Sequence, residues 1–194
     1  MGFGPPTTHR KSMTDIFNIF PVQLLVKQLD VDTTAKIQEE FQPILDTIEE
    51  RRNKSITEVT TDFQPTSPSW AIPPTLAANI NDNIKRYGHT ISSHFKEQVI
   101  NYWTQTYSTG QSHGRHIHPN SVVSGAYYIN AVDSVPIEFH NPNIAALYSG
   151  DTQETISVPT QSGLLVLFPS WLPHEVPTST EANGVRQMVS FNVV

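Results

Sequence analysis

The apolar positions of this chain change their spacing about halfway along. In "TTAKIQEEFQPILDTIEERRNKS" Ile37, Phe41, Ile44, Leu45 and Ile48 recur three and four residues apart with acids between them, which predicts an amphipathic helix. Pro43 is its expected kink or break. "LAANINDNIKRYGHTISSHFKEQVI" repeats the pattern with Ile80, Ile84, Tyr87, Ile91 and Phe95, and Gly88 is placed to split it. Before these helices, "DIFNIFPVQLLVKQLD" suggests a first strand or two around Pro21. Between them, "TEVTTDFQPTSPSWAIPPTL" reads as a loop.

From Tyr102 the pattern shortens to β-branched and aromatic segments punctuated by Gly, Pro and Asn. They are "NYWTQTYS", "VVSGAYYIN", "VPIEFHNP", "ETISVPT", "GLLVLFPSW", "HEVPTS" and "VRQMVSFNVV". So many short strands at such intervals predict a mostly β jelly roll with supporting α-helices packed on its outer face. The expected organisation is an arm over residues 1–14 and one domain over 15–194, with helical support over about 30–100 and the β core over about 101–194.

Composition narrows the chemistry. The net charge of −6 and the 15% of charged residues offer no basic stripe for a phosphate backbone, so no nucleic-acid partner is expected. No apolar run reaches membrane-span length, and "MGFGPPTTHRKSM" lacks a signal-peptide core, so the expectation is a soluble cytoplasmic protein. With no cysteine in the chain, disulfides, thiolate ligands and a cysteine nucleophile are excluded. A metal would be held by His, Asp, Glu or Asn.

The eight histidines are unevenly spread, and "HGRHIHPNSVVSGAYYIN" places three of them ahead of an apolar strand. On a strand, residues i and i+2 share a face, so His116 and His118 project together, with Asn120 next in line. His174 follows the apolar run "GLLVLFPSWLP" and is the candidate third ligand from another strand, giving a mononuclear site with open positions. Isolated histidines near turns are ordinary surface residues, and His113 is read as loop, with a fourth ligand or a group behind the ligands as the alternative. His140 is read as a core or rim residue, and His9, His89 and His94 receive no role. Arg186 opens the last strand, and a guanidinium entering an apolar strand requires a partner carboxylate, from the protein or from a ligand. Pairing with Glu181 at an exposed strand end is the plainer alternative. Of the adjacent Tyr127 and Tyr128, the second shares the parity of the histidines and is the expected interior hydroxyl.

"HIHPNSVVSGAYYIN", "GLLVLFPSWLPHEV" and "RQMVSFNVV", in that order, resemble a bacterial and phage family of iron(II)- and 2-oxoglutarate-dependent oxygenases related to the prolyl-hydroxylase type. The resemblance is close over residues 103–194 and loose before them. It implies a double-stranded β-helix (a cupin-like jelly roll), with His116 as first iron ligand, His174 as distal histidine, and Arg186 and Tyr128 at the far carboxylate of 2-oxoglutarate. In such sites the residue two after the first histidine is usually a carboxylate; here it is His118. A three-histidine set of His116, His118 and His174, a frame shifted to His118 and Asn120, and a site open to an external anion as in halogenating relatives all stand at this point.

The activity that the resemblance implies is hydroxylation of a small-molecule or peptidyl substrate by molecular oxygen, with 2-oxoglutarate decarboxylated to succinate. Two rivals share the same residues. One is a cupin-like three-histidine metalloenzyme that does not use 2-oxoglutarate; the other is a non-catalytic jelly-roll binding module. Neither the substrate nor the oligomeric state is legible in the sequence, and a homodimer stays open.

Overall fold

A computed structural model describes residues 22–50, 60–64, 71–131, 135–143, 154–178 and 185–194. The expected arm, the segment around Pro21 and Glu181 lie outside the described residues. Helix α1 (Val31–Glu50) starts at Asp30, whose carboxylate accepts the Thr33 backbone N–H and hydroxyl, both at 2.8 Å. This cap satisfies a free amide of the first turn, and the same bonds hold the Asp30 carboxyl below its usual range. The helix runs through Pro43.

Helix α2 (Pro74–Ile91) begins on a proline, which lacks the amide that a first turn leaves unpaired. Gly88 does not split it. A Cβ there would lie 2.0 Å from the Phe95 ring, so glycine is what lets the chain after the helix pack back against it.

Ten strands are described: β1 (Leu25–Gln28), β2 (Thr60–Gln64), β3 (Val99–Ser108), β4 (His113–His116), β5 (Val123–Ala131), β6 (Ile137–His140), β7 (Thr155–Val158), β8 (Leu164–Pro169), β9 (His174–Val176) and β10 (Val185–Val193). They form a six-stranded sheet in the order β1-β8-β5-β10-β3-β2 and a four-stranded sheet in the order β4-β9-β6-β7. Every pairing is antiparallel. Thr60–Gln64, expected as loop, adds to the outer edge of β3; a five-residue edge strand carries too little alternation to separate it from the Thr- and Ser-rich loop that follows.

Strand alternation sorts the side chains into two cores. Tyr127, Ile129, Leu165, Leu167, Val189 and Phe191 face outward and are covered by Ile37, Phe41 and Leu45 of α1 and by Leu76, Ile80 and Ile84 of α2. Tyr107, Tyr128, Val166, Phe168 and Met188 face inward and meet Ile137, Phe139 and Val176 of the smaller sheet. Because β5, β8 and β10 lie between these two layers, their sequences are apolar on both faces, as strands covered on two sides must be. Each fully buried aliphatic or aromatic side chain contributes roughly 1.5–3 kcal/mol of burial energy. The architecture is the expected β jelly roll with helices supporting one sheet. Among the described residues no helix is long and apolar enough to cross a membrane.

Candidate metal centre

The mouth of the inter-sheet space is built by β4 and β9. His116, the last residue of β4, stands directly opposite His174, the first of β9. The chain then leaves the strand: the His118 amide donates to the Ser170 carbonyl at 2.8 Å, and Asn120 turns with a φ of 64°. His118 therefore reaches the site from a loop and not from the strand face that the spacing suggested. The three side chains nonetheless converge, with one ring nitrogen of each within 4.8 Å of the others. Asn120 is exposed. Among the described residues no carboxylate belongs to the cluster. Glu175, next to His174, points to His140 on the far side of the strand, 3.3 Å away.

Hydrogen bonds set the tautomer of each imidazole. His116 Nδ1 lies 2.8 Å from the Gly114 carbonyl and His174 Nδ1 2.9 Å from the Leu172 carbonyl. A carbonyl only accepts, so both Nδ1 atoms carry the proton. His118 Nδ1 lies 2.7 Å from Asn192 Oδ1, which also accepts the Ser124 hydroxyl at 2.8 Å, while Asn192 Nδ2 donates to Asn101 Oδ1 at 2.9 Å. In all three rings Nε2 is thus the lone-pair atom. His118 Nε2 is buried and has no hydrogen-bond partner, an arrangement that costs free energy unless something binds there.

Burial favours the neutral form of His118 and His174. His174 is pushed down to about 3, first by burial, then by the neighbouring histidines and against its bond to Leu172. His118 is lowered too, mainly by burial, and its bond to Asn192 opposes the shift. Three converging imidazoles, each with its Nδ1 anchored to an oxygen atom, are a fitting donor set for a divalent transition metal. Trp103 stacks on His118 at 5.6 Å between ring centroids, and Phe168 lies 4.5 Å from His174. The cavity among them holds about 20 Å³, room for roughly one water.

Arg186 and Tyr128 lie deeper. Both are fully buried. Arg186 stands opposite Tyr107 in the β10–β3 pairing, with its Cζ 4.7 Å over that ring, and Nη1 donates to the Val135 carbonyl at 2.8 Å. Burial raises the Tyr107 phenol well above its ordinary value; Arg186 opposes the shift and Tyr128 adds to it. Tyr128 faces this inner core and Tyr127 the helices, as parity predicts.

Several residues stand at the site where the sequence reading had not placed them. His113, read as loop, is the first residue of β4 and stacks on His116 with ring centroids 4.1 Å apart and planes 12° apart. Burial, then the charges of His116 and His118, lower it to about 4. Gln105 and Tyr107 share the inner face of β3 with Trp103, a relation that the alternation of "NYWTQTYS" contains. Asn192 was signalled only as a polar residue inside "VSFNVV". His140 is buried at the end of β6, and its Nδ1 lies 3.2 Å from the Thr155 hydroxyl.

Solved structures share this jelly-roll fold. A Pseudomonas putida prolyl-4-hydroxylase superposes with a TM-score of 0.62 at 15% identity, covering 89% of this chain and 94% of that one. A Trichoplax adhaerens prolyl hydroxylase, solved with a peptide fragment of the hypoxia inducible factor oxygen degradation domain, gives 0.62 at 11%, covering 88% and 83%. HygX of Streptomyces hygroscopicus, solved with nickel and 2-oxoglutarate bound, gives 0.60 at 12%, covering 88% and 81%. No curated protein matches the sequence. Residues 101–192 match the family described as "Putative 2OG-Fe(II) oxygenase". Over these residues, somewhat under half of the chain, it is similar to that family, and the matched segment carries His116, His118, His174 and Arg186.

Proposed function

We propose that His116, His118 and His174 hold iron(II) through their Nε2 atoms, that Arg186 and Tyr128 bind the far carboxylate of 2-oxoglutarate, and that the enzyme hydroxylates a carbon of its substrate. The observation that carries this reading is the buried, partnerless Nε2 of His118 beside two further Nε2 lone pairs. With both cofactors bound the site supplies oxidative decarboxylation: substrate, oxygen and 2-oxoglutarate give hydroxylated substrate, succinate and carbon dioxide.

The protein's part is charge and position. Three neutral imidazoles leave the full dipositive charge of the metal uncompensated, and a dianionic co-substrate balances it where a carboxylate ligand is missing. Arg186 is buried and fixed over Tyr107, a prepared counter-charge with little side-chain entropy left to lose. Met188, unbranched and flexible, lines the cavity and would have to give way to a co-substrate larger than it. Ile117, between two of the histidines, and Trp171, three residues before the third, are about half exposed and offer an apolar rim to an arriving substrate. A peptidyl substrate is supported by the neighbour solved with a peptide fragment, and a small molecule by the equally similar carbocyclase and epimerase of nogalamycin biosynthesis. Iron(II) and a chain without cysteine suit a reducing compartment such as the cytoplasm.

The test is succinate formation by the anaerobically iron-loaded full chain after admission of oxygen and 2-oxoglutarate, with and without proline-containing peptides. Succinate made in step with peptide oxidation, and abolished in His174→Ala, is expected. Iron binding with no 2-oxoglutarate consumption under any of these conditions overturns the reading.

A further inference from the structure

The cluster contains a fourth imidazole of opposite polarity. His113 presents Nδ1 to the Gln105 amide nitrogen at 3.0 Å and to the Tyr107 hydroxyl at 3.4 Å. Gln105 is buried, and its other amide atom, Oε1, accepts the buried Ser190 hydroxyl at 2.9 Å. With Oε1 so occupied, Nε2 of Gln105 is the donor, His113 Nδ1 is the acceptor, and the ring proton of neutral His113 sits on Nε2. The three converging histidines have the reverse arrangement. A nitrogen that carries a proton cannot donate a lone pair to a metal, which accounts for a histidine that lines the same cavity without joining the ligand set.

Among the described residues both side-chain hydrogen bonds of His113 are made by Nδ1, and its Nε2 makes none. Its position is also informative. Going inward from the metal ligands, His113 stacks on His116, Tyr107 reaches His113 through its hydroxyl, and Arg186 lies over the Tyr107 ring. His113 and Tyr107 line the cavity between the three histidines and Arg186, where a dicarboxylate reaching from one to the other would meet them.

We propose that His113 is a co-substrate-binding residue and not a metal ligand: Gln105 and Ser190 lock it as an Nε2–H donor, and it gives that hydrogen bond to 2-oxoglutarate. The inference rests on the function proposed above, and two variants isolate it. His113→Phe keeps a flat ring against His116 and removes the donor. Gln105→Glu replaces the amide donor by a carboxylate that only accepts, which moves the His113 proton to Nδ1 and withdraws the donor from the site.

The experiment uses the nickel-loaded full chain and measures nickel affinity and then 2-oxoglutarate affinity by calorimetry. Ring-nitrogen NMR of the metal-free wild type reads the tautomers. Expected are an Nε2–H signal for His113 against Nδ1–H for His116, His118 and His174, nickel affinity within about twofold of wild type in both variants, and 2-oxoglutarate affinity reduced about tenfold in both. Unchanged 2-oxoglutarate affinity in the variants overturns the proposal, as does an Nδ1–H signal for His113 in wild type. Nickel affinity lost in both variants makes His113 a ligand and also overturns it. A wild type that binds nickel and no 2-oxoglutarate overturns the proposed function together with this inference; wild-type binding with unchanged variants overturns this inference alone.

Discussion

Asn192 Oδ1 accepts the Nδ1 proton of His118 across 2.7 Å, and this bond between the last strand and the loop after β4 directs the buried Nε2 of His118 towards His116 and His174. Asn192→Ala removes the acceptor and frees the ring to turn. Loss of such an outer partner typically weakens metal binding by about 10- to 100-fold. Nickel or cobalt titration should show that loss, with Asn192→Asp, which still accepts, retaining binding. Trp103, stacked on His118, supplies the fluorescence reporter, and Trp103→Phe should remove the metal-dependent quenching.

Arg186→Met exchanges a buried guanidinium for an apolar side chain of comparable length. The fold should tolerate it, because replacing a buried charge by a well-packed apolar group is often neutral. 2-Oxoglutarate binding should fall by on the order of 2–5 kcal/mol, the range for losing one partner of a buried charge pair. Arg186→Lys should restore only part of it, since an ammonium lacks the planar fork. Nickel affinity should not change. Equal losses of metal and co-substrate binding would contradict the assigned role.

Acid should destabilise the metal-free protein in a defined window. His174 and His113 titrate near 3 and 4 in the folded chain and near 6.5 when unfolded. Between those values the unfolded chain binds the additional protons, so stability present above about pH 6.5 is lost as the pH falls towards 3. Thermal unfolding from pH 7.5 to 4 should show a falling Tm, with a shallower slope in His174→Phe. A flat profile in wild type would contradict neutral buried rings.

Gly88→Ala separates two opposed forces. Helix propensity alone favours alanine by about 0.8–1 kcal/mol. The contact with Phe95 opposes it, and overpacking of that kind typically costs about 1–3 kcal/mol. Chemical denaturation should show net destabilisation, relieved in the Gly88→Ala/Phe95→Leu double variant.

The legible parts of the sequence were those written in a period. The 3- and 4-residue spacing marks both helices, and the alternation in "GAYYIN" separates Tyr127 from Tyr128. His116, His118 and His174 were found from density and spacing, yet the reason His118 arrives was misread. The strand ends at His116, and it is the bond to Ser170 and the turn at Asn120 that bring the third ring round. Asn192 bonds to His118 from 74 positions away, and Gln105 and Tyr107 meet His113 from 8 and 6 positions away across the fold. Such partners follow from register, and register depends on how the whole sandwich closes. Gly88 was read for its backbone when its missing Cβ was the point.

The central claim is that three Nε2 atoms, and no carboxylate, hold the iron. An anaerobic crystal structure of the full chain with iron(II) and N-oxalylglycine tests it most directly. The account predicts one iron bound by Nε2 of His116, His118 and His174, with the far carboxylate of the analogue at Arg186 and Tyr128. Iron bound through Asn120, His113 or any Asp or Glu side chain, or absent from the cluster at saturating iron, would contradict it.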